Sequence, residues 1–78
     1  MTQHALQRAA ERAGLTMTPH DLATVSGLIE HGAAAYVADD SNPHRTHWVV
    51  PFAGRSLPVV YDERGGAIVT VLPRVPHP

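Results

Sequence analysis

Apolar residues recur at helical spacing in the first third of the chain and predict two helices. The first helix spans residues 3–13 and ends at Gly14, where glycine supplies a left-handed C′ residue. The second spans residues 19–31, because Thr18 and Asp21 have the spacing of a capping box before an apolar stripe. The apolar positions of the first helix are Ala5, Leu6, Ala9, Ala10 and Ala13, and those of the second are Leu22, Val25, Leu28 and Ile29.

After Gly32 the apolar pattern changes from helical to alternating spacing, which predicts strands. Trp48 shares one strand face with Thr46 and Val50, and we expect this large ring to be at least partly buried. Pro58 has no N–H to donate, so its strand is expected at an edge of the sheet or at a bulge. The predicted strands cover residues 34–38, 45–50, 57–61 and 67–72.

The order of these elements predicts an α+β fold, with two N-terminal helices packed on a three- to four-stranded antiparallel sheet. Residues 1–73 are expected to form a single α+β domain, since 78 residues are enough for one core and not for two. Residues 74–78 are expected to be a disordered tail, because Pro73 stops the last strand. The core is thin: 44% of the residues are hydrophobic, but 11 of them are Ala and only four are aromatic.

Composition and charge narrow the range of functions. The chain has no Cys, which excludes disulfides, thiolate metal sites and a Cys nucleophile. Its net charge of −1 does not suggest a general nucleic-acid binder, which usually shows a basic excess. No apolar run approaches the roughly 18 residues that span a bilayer. Residues 1–4 lack the basic region of a secretory leader, so we expect a cytoplasmic protein with no membrane partner.

The candidate chemistry lies in His and Arg side chains. His4, Arg8 and Arg12 share one face of the first helix, and Arg45 and His47 share one face of a later strand. His exchanges protons near neutral pH, and Arg holds a phosphate and stabilises its transition state. These are the groups that a metal-independent ribonuclease needs. The six His residues lack the spacing of convergent ligands, so we expect no metal and no cofactor.

Two segments of the chain resemble a known group of nucleases. The opening is HALQRAAERAGL at residues 4–15 with TPHDL at 18–22, and the ending is VVYDERGGAIVTVLP at 59–73. Both resemble small bacterial and phage proteins that are similar to the barnase, colicin-nuclease and RelE superfamily of toxin-like ribonucleases. The resemblance implies cleavage of RNA phosphodiesters by attack of the 2′-hydroxyl, and it implies the same α+β fold.

The resemblance also implies which residues act. It marks positions at both ends of the chain, in the first helix and in the last strand. The candidate catalytic residues that it marks are His4, Arg12 and Thr70. The remaining members of the His and Arg groups described above, Arg8, Arg45 and His47, are the candidate substrate-binding residues. The chain has no Lys, which some members of the superfamily use in catalysis, and its net charge is slightly acidic.

Two functions from different classes therefore stay open. The first is a ribonuclease toxin, with RNA as its substrate and a cognate antitoxin as its protein partner. The second is a non-catalytic binding protein of a phage or mobile element that uses the same scaffold to inhibit a host or immune factor. The His and Arg residues favour the first, whereas the near-neutral charge and the loop with Asp39 and Asp40 favour the second.

Overall fold

The computed structural model describes residues 2–73 and has the predicted α+β fold. Two N-terminal helices pack on one face of a four-stranded antiparallel sheet. The tail predicted at residues 74–78 lies outside the described residues. The elements are helix α1 (Thr2–Arg8), a π-helical segment (Ala9–Ala13), helix α2 (Pro19–Glu30) and strands β1 (Ala35–Asp39), β2 (Arg45–Phe52), β3 (Arg55–Asp62) and β4 (Ala67–Val71).

The first helix changes type halfway along its predicted range of residues 3–13. Its α-helical part ends at Arg8, and the π-helical segment follows directly. In a π-helix each N–H bonds to the carbonyl five residues earlier, and such turns are frequent at functional sites. Gly14 ends the segment in the left-handed conformation at φ 66°, as its position predicts. The spacing of the alanines gave no sign of the change, because their small side chains pack at either helical pitch.

Two alanines form the buried side of this first helix. Ala5 and Ala9 have no exposed surface and lie in the core, and Leu6 packs beside them. Ala10, which belongs to the predicted apolar stripe, is exposed instead. It follows Ala9 directly and so projects from the margin of a stripe centred on Ala5 and Ala9. The helix therefore meets the rest of the protein through methyl groups and lies close to it.

Helix α2 begins as its capping signals predict. The Thr18 hydroxyl accepts a hydrogen bond from the Asp21 N–H at 3.1 Å, and the Asp21 carboxylate accepts one from the Thr18 N–H at 2.9 Å. Two N–H groups that would otherwise lack partners are thereby satisfied. The helix ends at Glu30, one residue before its predicted end, and Gly32 follows at φ 76°.

Each strand of the sheet pairs with the next one in the chain, in the order β1-β2-β3-β4. The rows of side chains across the sheet follow from the register, in which His47 lies opposite Val60 and Val60 lies opposite Thr70. The register between β3 and β4 shifts next to this row, between Val60 and Tyr61. An extra residue of β4 is accommodated there, and the strand bends locally.

Pro58 marks neither an edge strand nor a bulge, so this prediction was wrong. Its strand, β3, lies inside the sheet, and Pro58 pairs in regular register with Val49 of β2. The Pro58 carbonyl accepts a hydrogen bond from the Leu72 N–H at 2.9 Å, and the proline nitrogen faces the same side. That side lies just past Val71, the last residue of β4. The missing N–H therefore removes at most one bond at the end of the ladder.

The sheet has a core face that meets the helices and an outer face that points away from them. Trp48 is half-buried on the core face between the buried Thr46 and Val50, as the alternation of β2 predicts. Its Nε1–H donates to the Thr46 hydroxyl at 2.7 Å. The ring of Tyr36 meets the Trp48 ring edge-on, with 5.4 Å between centroids. The buried core consists of Ala5, Ala9, Met17, Leu22, Val25, Ile29, Val50, Leu57, Val59, Tyr61, Ile68 and Val71.

A hydrogen bond ties the end of α2 to the sheet. The Tyr61 hydroxyl, on the core face of β3, donates to Glu30 Oε2 at 2.9 Å. Burial of the phenol and the neighbouring Glu30 carboxylate raise the pKa of Tyr61 to about 12. The folded protein thus holds this phenol in its neutral form, because the phenolate would be poorly solvated and repelled by the carboxylate.

The close approach of the first helix predicts that Ala9→Leu destabilises the fold. The added side chain has no space, and overpacking of this kind costs about 1–3 kcal/mol in the free energy of unfolding. Ala10→Leu is the matched control, because Ala10 is its exposed neighbour, and we expect it to stay within about 0.5 kcal/mol of the wild type. Urea unfolding measures both. Equal losses for the two variants would contradict the close packing.

The pKa of Tyr61 predicts a loss of stability in alkali. An unfolded tyrosine ionises near pH 10, whereas Tyr61 in the fold ionises near 12. Below pH 10 both states hold the proton and the contribution of Tyr61 is fully present. Between pH 10 and 12 the unfolded state loses its proton first, so the free energy of unfolding falls. Urea unfolding across this range should show a shallower fall for Tyr61→Phe than for the wild type, and parallel curves would refute the assignment.

Candidate functional site

Helix α1 and strand β4 come together through the buried alanines of the first helix, and the polar residues beside them form the candidate site. Arg12, in the π-helical segment, donates from Nη1 to the Val71 carbonyl at 3.0 Å. The N–H of Leu72 points to β3. Because the Val71 carbonyl belongs to the same peptide group, it points in the opposite direction, to the free edge of β4. Arg12 is thereby fixed next to Thr70. We call this region, formed by Arg8, Arg12, Thr70 and Val71, the α1–β4 seam.

Arg8 begins a short chain of polar contacts along the first helix. Its Nη1 lies 2.7 Å from Glu11 Oε1, and Gln7 donates to the other oxygen of Glu11 at 2.9 Å. The Gln7 amide and then the Arg8 guanidinium lower the pKa of Glu11. Arg8 Nε is buried and has no hydrogen-bond partner in the described part of the chain. The Nη1 of Arg8 is therefore paired with Glu11, whereas its Nε–H has no hydrogen-bond partner among the described residues.

Thr70 is the strand residue that precedes Val71, the acceptor of the Arg12 hydrogen bond. It lies opposite Val60 in the register, on the outer face of β4, and is half-buried. Its hydroxyl oxygen is buried and makes no hydrogen bond within residues 2–73. In the described residues only Arg8 and Thr70 have buried side-chain atoms without a partner. Since buried polar groups are normally paired, two exceptions on two packed elements call for an explanation.

The outer face holds a His–Asp pair that the sequence did not predict. His47 Nε2 lies 2.8 Å from Asp40 Oδ1, and both side chains are mostly buried. The other oxygen of Asp40 accepts a hydrogen bond from the Asn42 N–H at 3.1 Å. The hydrogen bond to His47, followed by that from Asn42, lowers the pKa of Asp40. The carboxylate therefore fixes the imidazole, and the Nδ1 of the ring has no hydrogen-bond partner among residues 2–73.

Asp40 was missed because the sequence placed it in a loop by composition. The signal that would have found it is the β-hairpin of β1 and β2. Asp39 of β1 pairs with Thr46 of β2. Asp40 follows Asp39 in the chain and therefore lies beside Arg45 and His47, the outer-face neighbours of Thr46 on β2. This register depends on the turn between the strands and on a bulge near Val37, which spacing alone does not give.

The predicted site residues fall into two groups and one single residue. Arg12 reaches the Val71 carbonyl next to Thr70 at the edge of β4, and Arg8 lies on the same helix about one turn before Arg12. Arg45 and His47 share the outer face with Thr70, and the row from His47 through Val60 to Thr70 spans two strand spacings, about 10 Å.

His4 stands apart from both groups. It is exposed on α1, one helical turn before Arg8, and makes no hydrogen bond or ion pair in the part of the chain that the structure describes. Its imidazole is therefore open to solvent. Only its position on the helix relates it to the α1–β4 seam.

No three or more His, Asp or Glu side chains among the described residues converge as metal ligands would. No helix of the described chain is long and apolar enough to cross a membrane.

Comparisons of this chain with protein-family models, with curated proteins and with solved structures find no match. The resemblance to toxin-like ribonucleases therefore rests on the sequence motifs alone.

The unpartnered hydroxyl predicts that Thr70→Val stabilises the protein. Valine has nearly the shape of threonine, and an unmade hydrogen bond of a buried group costs about 1–3 kcal/mol. Thr46→Val is the matched control on β2, because the Thr46 hydroxyl accepts from Trp48, and its loss should lower stability. Thermal or urea unfolding should give opposite signs for the two variants. If both variants lose stability equally, the Thr70 hydroxyl has a partner and is not held open for a ligand.

Proposed function

We propose that this protein is a metal-independent ribonuclease of the toxin type, with its site at the α1–β4 seam. One observation carries the proposal: the two buried polar atoms left without a partner in residues 2–73 belong to Arg8 and Thr70. Both residues were selected from the sequence by other criteria. Phosphate oxygens of a bound RNA would accept hydrogen bonds from these groups. Arg8 and Thr70 keep part of their surface exposed, so binding needs only an adjustment of side chains.

Arg12 adds a fixed positive charge to this site. A guanidinium has five N–H donors, and only Nη1 of Arg12 is engaged, by the Val71 carbonyl. That bond positions the group, and the remaining donors are free to hold a phosphate and the pentacoordinate transition state that forms from it. Arg8 adds less positive charge to the site than Arg12, because its guanidinium is partly neutralised by the ion pair with Glu11.

The reaction that these groups serve is transfer of the phosphodiester to its own 2′-hydroxyl. The 2′-oxygen bonds to phosphorus, its proton passes to a base, and the 5′-oxygen leaves with a proton from an acid. The products are a 2′,3′-cyclic phosphate and a free 5′-hydroxyl. We assign proton transfer to His4, whose imidazole is exposed one turn before Arg8. Thr70 donates its hydroxyl hydrogen to the phosphate.

The outer face of the sheet offers a path for the rest of the RNA strand. Arg45 and His47 lie on the same face as Thr70. Asp40 fixes the His47 ring at 2.8 Å, which makes it a rigid hydrogen-bonding group for a sugar or phosphate. The distance of about 10 Å from His47 to Thr70 is within the span of two nucleotides of extended RNA. We therefore assign Arg45 and His47 to substrate binding.

The π-helical segment supports a functional role for this end of the molecule. It begins immediately after Arg8 and contains Arg12. π-Helical turns are rare and occur mostly where function requires them. Here the segment sets the position of Arg12 relative to Arg8, so that the Arg12 side chain meets the edge of β4.

Cleavage of a fluorogenic RNA oligonucleotide tests the proposal. We expect a 2′,3′-cyclic phosphate product, full activity in the presence of a chelator, and no cleavage when the sugar at the scissile position is 2′-deoxy. His4→Ala should lower kcat about 100-fold or more, as expected for loss of a general acid or base. His47→Ala should mainly raise KM.

Arg64→Ala serves as the charge-matched control, because Arg64 is exposed in the turn between β3 and β4, outside both groups. It should keep wild-type activity, whereas Arg12→Ala should lose most of it. RNA left intact by micromolar wild-type protein would refute the ribonuclease. In that case the binding-protein alternative is the one to pursue, starting at the outer face of the sheet.

A further inference from the structure

A cleft lies between α2 and the beginning of β4, on a part of the molecule that the proposed ribonuclease does not use. Its volume is about 330 Å³, which is at the small end of the range for ligand pockets. The buried side chains of Leu22 and Ile68 form its apolar lining, and Ala23 lies at its exposed side. The cleft accommodates a group about the size of one long side chain.

Two oxygen-bearing side chains line this cleft. Ser26 has little exposed surface and contributes a hydroxyl to the lining. The Glu30 carboxylate accepts the Tyr61 hydroxyl on Oε2 at 2.9 Å, and it forms no ion pair within residues 2–73. The cleft therefore presents a negative charge and a hydroxyl next to apolar walls, and no cation of the described residues pairs with Glu30.

The end of α2 strengthens the negative potential at this point. Glu30 is the last residue of the helix, where the aligned peptide dipoles give a partial negative charge that favours a cation. The nearest candidate in the chain, His31, does not fill the place, because its Nδ1 lies 2.8 Å from the Gly27 carbonyl of the same helix. An external cation would be attracted to the carboxylate and the helix end together.

Gly66 leaves the Glu30 carboxylate accessible from the cleft, because glycine has no side chain. It has a positive φ of 63°, and a Cβ at this position would lie 3.3 Å from Glu30 Oε2 and 3.6 Å from the Tyr61 hydroxyl. Any side chain would crowd the carboxylate. The turn between β3 and β4 thus passes close to Glu30 without covering it.

We propose that this cleft binds an alkylammonium or alkylguanidinium group, with the charge on Glu30 and the alkyl stem between Leu22 and Ile68. The Ser26 hydroxyl accepts one further hydrogen bond from the ligand. This site is separate from the α1–β4 seam, and it does not depend on the ribonuclease activity. Charge supplies the selectivity for a cation, and the apolar walls select for a stem of several carbons.

Titration with n-butylguanidinium, followed by amide chemical shifts in NMR spectra, tests the site. We expect saturable shifts at the backbone of Ser26, Gly27, Gly66 and Ala67, with a Kd on the order of 1–10 mM for so small a ligand. The neutral analogue n-butylurea should bind at least about tenfold more weakly, as expected for loss of a charge-assisted hydrogen bond.

Three variants make the test specific. Glu30→Gln should weaken binding about tenfold or more, while the Tyr61 hydroxyl keeps an amide oxygen as its acceptor. Ala23→Phe, on the exposed side of α2, should block the cleft without disturbing the core. Glu63→Gln is the control, because this carboxylate is exposed in the turn and does not line the cleft. It should leave the Kd unchanged.

A second ligand distinguishes an Arg side chain of a protein partner from a free small cation as the natural occupant. N-acetyl-arginine methylamide carries the same guanidinium on a peptide unit. Tighter binding than n-butylguanidinium assigns the cleft to an Arg side chain of a protein partner, and equal or weaker binding assigns it to a free small cation. Equal affinity for n-butylguanidinium and n-butylurea, an unchanged Kd in Glu30→Gln, or absence of saturation would each overturn the proposal.

Discussion

The contact of two alanines with the sheet determines where every part of the candidate site lies. Ala5 and Ala9 have no exposed surface, and their small side chains let the first helix lie close to β4. This short distance lets a side chain of the first helix reach the backbone of the strand, as Arg12 does at the Val71 carbonyl. Larger residues would separate the elements and break that contact, since a packed interior does not adjust to extra volume without strain.

The α1–β4 seam keeps polar groups unsatisfied at a place where the fold itself is tight. The buried Nε of Arg8 and the hydroxyl of Thr70 each lower stability relative to a paired group. A domain of this size has little stability to lose. Such sites are maintained in proteins when a ligand completes the hydrogen bonds, and stability is given up where binding needs it. The π-helical segment between Arg8 and Gly14 belongs to the same pattern.

The two faces of the sheet carry different kinds of side chains. The core face carries Trp48, Val59 and Tyr61 against the helices and holds most of the buried apolar area. The outer face carries Arg45, the His47–Asp40 pair and Thr70. Because successive residues of a strand point to opposite faces, changes on the outer face leave the core contacts in place. The outer face and the helix ends are therefore where a small domain of this kind has room for binding groups.

The sequence by itself determined the elements of the fold. The alternation around Trp48 indicated its face, the capping residues Thr18 and Asp21 gave the start of α2, and Gly14 gave the end of the first helix. These signals are local: each depends on the preferences of a few consecutive residues, which act before any tertiary contact forms. The α+β class followed from the order of the elements.

Only the tertiary structure decided which residues meet. Asp40 reached His47 through the register of a hairpin, Arg12 reached Val71 across 59 residues of chain, and Pro58 lay inside the sheet because its missing N–H faces the end of a ladder. The cleft at Glu30 likewise exists because a distant turn lacks a side chain there. Contacts of this kind depend on packing distances and strand register between segments far apart in the chain, and no pattern within one segment contains that information.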